Sequence, residues 1–266
     1  MRDKLALVLP TLIIVAAEAM FYFALPETCL ELHLLNIFLC IILSIFMTKQ
    51  ADLFVAFCLV SILRVLNIGM PKFFPDSIWF YPFIYLPVIV AGFMLWYVDN
   101  RPEGSRPSPK DIWRFIDGAP QGEKPTFRWA FLPIALIIGL GLSFIEFAIL
   151  QNEPLIHDLS WSSLAALLVV MMVFVGFGEE MVFRSMLQTR VQARTGALMA
   201  VLFSSFMFSI MHSGYQSAIY MAYVFGVGLI LGYSFYRTRS LVFITLIHGF
   251  LNFFLFSFHP LLWFPL

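Results

Sequence analysis

The sequence has very little charge. Only 12% of its 266 residues are Asp, Glu, Lys or Arg, whereas an average soluble domain has about 25%. With 61% hydrophobic residues and a mean hydropathy of +0.90, this composition excludes an ordinary soluble protein. It predicts an all-α, polytopic membrane protein whose surroundings are a lipid bilayer. The formal net charge is zero, so no excess of basic residues indicates nucleic acid as a partner.

The sequence is also poor in cysteine and in familiar catalytic motifs. Cys29, Cys40 and Cys58 lie in the first third of the chain without metal-type spacing. We therefore interpret them as small apolar packing residues. The chain has no Gly-x-Ser-x-Gly elbow, which marks many serine hydrolases, and no His-Glu-x-x-His zinc helix.

Long apolar segments, in contrast, are abundant. A helix that spans a bilayer needs about 20 residues, and nine segments reach or approach that length. The number becomes eight if the first segment is a cleaved signal peptide or is wrongly assigned. The nine segments are Leu5–Leu25, Leu30–Thr48, Leu53–Ile68, Ile78–Val98, Trp129–Leu150, Trp161–Phe183, Ala197–Met211, Ala218–Tyr236 and Leu241–Phe258.

The basic residues predict how these segments are oriented. Lys and Arg accumulate in cytoplasmic loops. If the N-terminus is cytoplasmic, 13 of the 16 basic residues lie in cytoplasmic loops. We therefore expect an integral, multi-pass protein with a cytoplasmic N-terminus, in the plasma membrane if the cell is prokaryotic.

Composition also divides the chain into three parts. Residues 1–98 form a predicted N-terminal membrane segment of four helices. Residues 99–128 are the only substantial polar stretch, and we expect a cytoplasmic connector there. Residues 129–266 form a C-terminal membrane segment.

The N-terminal half contains a few isolated polar residues without a motif. Glu18 and Arg64 lie within predicted spans and could pair across helices or line a cavity. His33 and Asp52 lie near predicted helix ends, where we expect them to be solvated at the interface. None of these residues by itself predicts a chemical role.

The stretch from Gly178 to Arg184 contains the densest charge in an apolar helix. One charge at the centre of a bilayer costs about 3 kcal/mol on insertion scales, so three charges together suggest function. Glu180 and Arg184 are four residues apart and can pair on one helix face. Glu179 points about 100° away, which leaves it as the candidate general base. The alternative is an ion cluster that only holds helices together.

Two further clusters follow. Phe208 and His212 are four residues apart near the end of the seventh segment, and His248 and Asn252 are four apart in the ninth. A carboxylate and a histidine can activate water, and a histidine and an asparagine can donate hydrogen bonds to an oxyanion. Together these groups are the types that amide hydrolysis requires: a base for water and donors for the oxyanion.

The three clusters resemble the motifs of the CPBP (Abi) family. The matching residues are Glu179-Glu180-x-x-x-Arg184, Phe208-x-x-x-His212 and His248-x-x-x-Asn252, in this order on three predicted spans. The family contains type II CAAX prenyl endopeptidases and bacteriocin-processing or self-immunity membrane proteins. The resemblance covers about residues 161–258, which would be the catalytic core.

The resemblance implies an intramembrane endopeptidase of the glutamic type. Glu179, assisted by His212, would activate water, and His248 and Asn252 would stabilise the oxyanion. Glu180 and Arg184 would orient the helix and tune Glu179, with Phe208 as a further supporting residue. This version needs no cofactor; the alternative makes Glu179, His212 and His248 the ligands of a catalytic zinc ion.

The expected substrate is a membrane-attached protein or peptide, such as a prenylated C-terminus, a leader peptide or a sorting tail. Two other functions stay open. A non-catalytic bacteriocin-immunity or scaffold protein could use the same helices. A proton-coupled transporter could use buried Glu and His residues as a relay, although we find no internal repeat that would support it.

Overall fold

The structure is a computed structural model, and it describes residues 2–73, 78–100, 108, 110, 116, 128–156 and 158–263. The described residues are almost entirely helical. Their helices are α1 (Arg2–Tyr22), α2 (Pro26–Phe46), α3 (Ala51–Gly69), α4 (Phe80–Asn100), α5 (Phe131–Leu150), α6 (Trp161–Thr195), α7 (Ala197–Ile210), α8 (Ala218–Thr238), α9 (Leu241–Phe256) and α10 (Phe258–Trp263). Short 3₁₀ turns occupy Thr48–Gln50, Met70–Lys72 and Ser213–Tyr215.

These helices confirm the predicted all-α, multi-pass membrane protein. Among the described residues, eight helices are long and apolar enough to cross a bilayer. Each corresponds to one of the nine predicted segments. The remaining prediction, 197–211, is helix α7, whose 14 residues are shorter than the usual span. All nine predicted segments are thus helical in the described part of the chain, and eight of them have the length of a full span.

The chain folds as two compact units that are not consecutive in sequence. The first contains residues Met1–Pro75 and Val182–Gly232, and the second contains Asp76–Met181 and Tyr233–Leu266. The predicted division into segments before and after a connector stays a prediction, because most of the connector, residues 99–128, lies outside the described residues.

Buried polar contacts join the helices of the first unit. Arg64 donates two hydrogen bonds to the Glu18 carboxylate, at 2.7 and 2.8 Å, so of the two alternatives that the sequence left open, the structure shows the pair across helices. His33 does not lie at a solvated interface as predicted; it is fully buried and lies 3.0 Å from Glu18. Asp52 is only partly exposed and pairs with Arg194 at 2.6 Å. A buried charge is stable only when paired, and these contacts meet that requirement.

Glycines let the helices of the second unit pack closely. A Cβ at Gly139 in α5 would lie 2.8 Å from the Ile247 carbonyl oxygen of α9. One at Gly176 in α6 would lie 3.2 Å from the backbone nitrogen of Gly249 in α9. Small residues at such crossings allow helix backbones to approach in a membrane, where no hydrophobic effect drives association. They hold α9, which carries His248, against its neighbours.

This packing predicts opposite outcomes for two glycines of α5. A Cβ at Gly139 would lie 2.7 Å from the Phe250 Cβ, so Gly139→Ala should lower the free energy of unfolding by about 1–3 kcal/mol through overpacking. Gly141 has nothing within 4 Å of the corresponding position, so Gly141→Ala should be neutral or slightly stabilising. Thermal unfolding in detergent measures both. Equal melting temperatures for the two variants would contradict this account of the α5–α9 contact.

Candidate functional site

Helix α6 is irregular around its two glutamates. The hydrogen-bonding pattern is π-helical over Val170–Gly176 and again over Met181–Gln188, and the α-helical turn Phe177–Glu180 lies between them. π-helical segments are rare and often occur at functional sites. The expectation that Glu180 and Arg184 share a face used α-helical spacing, which ends at this turn. Their pairing stays a prediction.

Glu179 accepts a hydrogen bond from the Tyr85 hydroxyl of α4. The Tyr85 side chain is almost completely buried, and its ring lies against the backbone of α6. Only glycine at position 178 permits this approach, because a Cβ there would lie 2.6 Å from the ring. The glycine that precedes the two glutamates therefore provides the space for the donor that orients Glu179.

Glu180 connects the same turn of α6 to α9. Its carboxylate lies 2.8 Å from Nδ1 of His248, and both residues are buried. This contact occupies Nδ1 of the ring, and Nε2 is the second ring nitrogen. Nε2 of His248 lies 3.8 Å from the Glu179 carboxylate. This distance is too long for a hydrogen bond but suits a water molecule bonded to both groups.

Asn252 lies one helical turn after His248 on α9 and is also buried. Residues four apart on an α-helix share one face, so the amide follows the imidazole along the helix. Its amide makes no side-chain hydrogen bond to any other described residue.

Arg184 and Phe208 form a pair within the first unit. The Arg184 side chain is fully buried, and its guanidinium lies 4.4 Å from the centre of the Phe208 ring. It also donates a hydrogen bond of 3.3 Å to the Gly228 carbonyl oxygen of α8. A cation over an aromatic face is stabilised by the ring quadrupole. Phe208 therefore has a physical role beside an arginine that sequence spacing alone did not reveal.

His212 lies just beyond the end of α7 and is half-buried. Its Nδ1 lies 2.9 Å from the carbonyl oxygen of Phe208, one turn earlier. A carbonyl oxygen only accepts, so Nδ1 carries the proton, and in the neutral ring Nε2 is an acceptor. The second motif thus fixes the tautomer in which a histidine can take a proton.

The structure brings several predicted site residues together. Glu179, Glu180 and His248 form one cluster. Arg184 contacts Phe208, whose carbonyl oxygen binds the ring of His212.

The sequence analysis missed Tyr85. A tyrosine in an apolar helix could have indicated this role, because a buried phenol hydroxyl usually has a hydrogen-bond partner.

The zinc alternative stays a prediction. With Nδ1 bound to Glu180, Nε2 of His248 and the nearby Glu179 carboxylate are of the right type to bind either a water molecule or a zinc ion. A carboxylate that fixes the second nitrogen of a histidine is common to metal sites and to metal-free acid–base sites.

The comparisons with known proteins support the motif assignment. No curated protein and no solved structure matches the chain. Residues 161–254, about a third of the chain, match the family model described as Type II CAAX prenyl endopeptidase Rce1-like. This segment contains all three motifs. The match confirms the predicted resemblance, and over residues 161–254 the chain is similar to the type II CAAX prenyl endopeptidases.

Proposed function

We propose that this protein is an intramembrane endopeptidase of the glutamic type, with Glu179 as the general base. One observation carries the proposal: the Glu179 carboxylate is oriented by the Tyr85 hydroxyl and lies 3.8 Å from Nε2 of His248. The family match over residues 161–254 supports the same reaction class. Buried acid and base groups at this separation are suited to holding and activating one water molecule.

The first step is attack by water on the scissile carbonyl carbon. Glu179 removes a proton from the water as the new C–O bond forms, and the carbonyl oxygen becomes an oxyanion. Asn252 donates to this oxyanion through its amide. His248, when protonated, donates through Nε2 because Nδ1 is held by Glu180. Such donors, placed in advance, stabilise charge that develops in the transition state.

The second step breaks the C–N bond. The proton that Glu179 accepted passes to the leaving nitrogen, and the oxyanion returns to a carbonyl. The products are a carboxylic acid and an amine, so the protons balance without any other reactant. His212 assists Glu179 in this proposal because of its place in the second motif and because its tautomer leaves Nε2 as an acceptor.

The supporting residues orient the reacting groups. Glu180 fixes the ring of His248, while Arg184 and Phe208 stabilise each other beside the carbonyl that holds His212.

We propose that the reaction needs no metal ion or other cofactor. The test removes zinc with a chelator, determines the remaining metal content of the protein and measures its activity. Full activity without zinc would agree with this version. Activity that only added zinc restores would contradict it.

The proposed substrate is a protein or peptide that is already attached to the membrane. Most of the chain consists of apolar helices, and the segment similar to the prenyl endopeptidases includes the proposed base. Candidate substrates are a prenylated C-terminus, a leader peptide or a sorting tail. We propose a cytoplasmic N-terminus on the distribution of basic residues.

The proposal predicts that Glu179→Gln abolishes the production of specific protein termini in cells. Loss of a general base typically lowers the rate by about 100- to 10,000-fold. The measurement compares the termini of membrane proteins in cells that express wild type, Glu179→Gln or no protein. Glu146→Gln is the matched control, because Glu146 is a buried glutamate of α5 outside the proposed machinery.

The protease is supported if certain termini occur in cells with wild type or Glu146→Gln but are absent with Glu179→Gln or without the protein. These termini also identify the substrate. Termini that are identical in wild-type and Glu179→Gln cells would contradict it and favour an immunity or scaffold role. Proton flux in reconstituted vesicles that requires Glu179, without any change in termini, would instead favour a transporter.

The hydrogen bond from Tyr85 predicts a second effect on activity. Tyr85→Phe keeps the ring that packs on Gly178 but removes the donor to Glu179. A hydrogen bond to a charged group is worth about 1.5–3 kcal/mol, so cleavage should fall about 10- to 100-fold. Tyr97→Phe is the control, because Tyr97 is a tyrosine about three turns later on the same helix, where its ring lies 6.3 Å from that of Phe93. Equal losses in both variants would show that the Tyr85 hydroxyl has no special role.

A further inference from the structure

The N-terminal helices form a buried polar cluster outside the segment that matches the family. Glu18 of α1 is bound by both Arg64 of α3 and His33 of α2. The second ring nitrogen of His33 lies 3.0 Å from the Ser61 hydroxyl. All four side chains are buried. Such groups are costly to bury, and the cluster therefore calls for a reason beyond the packing of three helices.

The cluster binds the residues on both sides of His212. Arg64 donates to the carbonyl oxygen of Met211. On the other side, Ser213 donates from its hydroxyl to Glu18 at 2.5 Å. The ion pair thus has one hydrogen bond to the residue before His212 and another to the residue after it.

Packing of α1 on the following turn supports the same arrangement. A Cβ at Gly214 would lie 2.5 Å from the Phe21 ring, so the turn touches the end of α1 closely. The Arg64 guanidinium lies 4.8 Å from the centre of that ring. The chain then continues through Gln216, whose positive φ of 53° is uncommon for a residue with a side chain. Tertiary contacts are needed to hold such a conformation.

The position of His212 depends on these contacts because α7 ends at Ile210. Beyond that point, the helix no longer supplies a continuous ladder of backbone hydrogen bonds. The ring is oriented by the Phe208 carbonyl, but the backbone on either side is held by Arg64 and Glu18. Removing one of these contacts would let the histidine move.

A metal site is the other use that this cluster suggests. Ligand atoms of Glu18, Cys29 and His33 all lie within 4.8 Å of one another. However, both Glu18 oxygens accept from Arg64, and both ring nitrogens of His33 already have partners. A cation would have to displace the arginine, and like charges at this distance repel. The hydrogen bonds therefore favour a structural role over a metal centre. In this role, Glu18 and Arg64 hold the backbone on both sides of His212, an arrangement that we call the clamp.

We propose that Glu18 and Arg64 position His212 for the reaction, with Ser213 as the link between them and the second motif. This inference rests on the proposed function, in which His212 assists Glu179. Glu18, Arg64 and Ser213 are positioning residues and do not touch the substrate. The N-terminal helices, which contain none of the three motifs, thereby contribute to the chemistry by holding one of its residues.

Ser213→Ala tests the clamp with little risk to folding. It removes one hydrogen bond and leaves the Glu18–Arg64 pair intact, whereas Arg64→Ala would leave a buried carboxylate without its cation and is expected to disrupt folding. Ser209→Ala is the matched control. Ser209 lies one turn earlier and donates to the Met221 carbonyl at 2.6 Å, away from the clamp.

The first measurement is the rate at which diethylpyrocarbonate labels each histidine of the intact, purified protein, followed by mass spectrometry. Ser213→Ala should raise the rate at His212 about two- to tenfold, which corresponds to the net loss of one hydrogen bond. Labelling of His248 should not change. The same rise at His248, or the same rise at His212 in Ser209→Ala, would overturn the clamp because it would indicate general loosening. An unchanged rate at His212 in Ser213→Ala would also overturn it.

The second measurement is the production of wild-type-dependent termini in cells. Ser213→Ala should reduce it about two- to tenfold, and in the His212→Ala background the same change should have no further effect. Labelling needs no substrate, so the clamp and the protease are tested independently of each other. Termini that do not depend on Glu179 would contradict the protease, whereas unchanged His212 labelling in Ser213→Ala would contradict the clamp alone.

Discussion

Two adjacent carboxylates in an apolar helix must each find a partner inside the protein. Bilayer lipid cannot solvate them, and an unpaired charge there is costly. The structure meets this requirement in two directions: Glu179 accepts from Tyr85 of α4, and Glu180 binds His248 of α9. The glycines around this turn follow from it, since Gly178 makes room for the tyrosine and Gly176 lets α9 come close. The same arrangement places one Glu179 oxygen 3.8 Å from Nε2 of His248, where we propose that water is activated.

The apolar helices could be predicted from the sequence, because the length of an apolar run decides whether a helix can cross a bilayer. The short helix α7 is the one that fell below this length. The three motifs were also visible, because charged and polar residues are conspicuous in an apolar background. Tyr85 was not, since its phenol ring resembles the apolar residues around it. Likewise, the π-helical segments around Glu179 leave no mark on the pattern of hydrophobic residues, so the helix-face argument could not anticipate them.

His33 shows a different limit. Its place near a predicted helix end suggested solvation, but burial depends on which helices pack together. Composition says little about that when every face is apolar. Pairing of Glu18 with Arg64 was one of two alternatives that the sequence left open. Its hydrogen bonds to residues around His212 connect positions more than 140 residues apart in the chain. Only the three-dimensional contacts reveal that the N-terminal helices support the second motif.

The central claim is that the two neighbouring glutamates have different tasks: Glu179 is the base, and Glu180 only orients His248. The most direct measurement is single-turnover cleavage by purified protein in proteoliposomes, using a substrate identified from its termini. It compares wild type, Glu179→Gln and Glu180→Gln. We predict no detectable cleavage with Glu179→Gln and a slower but measurable reaction with Glu180→Gln, because its amide oxygen can still accept from His248. Cleavage that survives Glu179→Gln but is lost in Glu180→Gln would contradict the account.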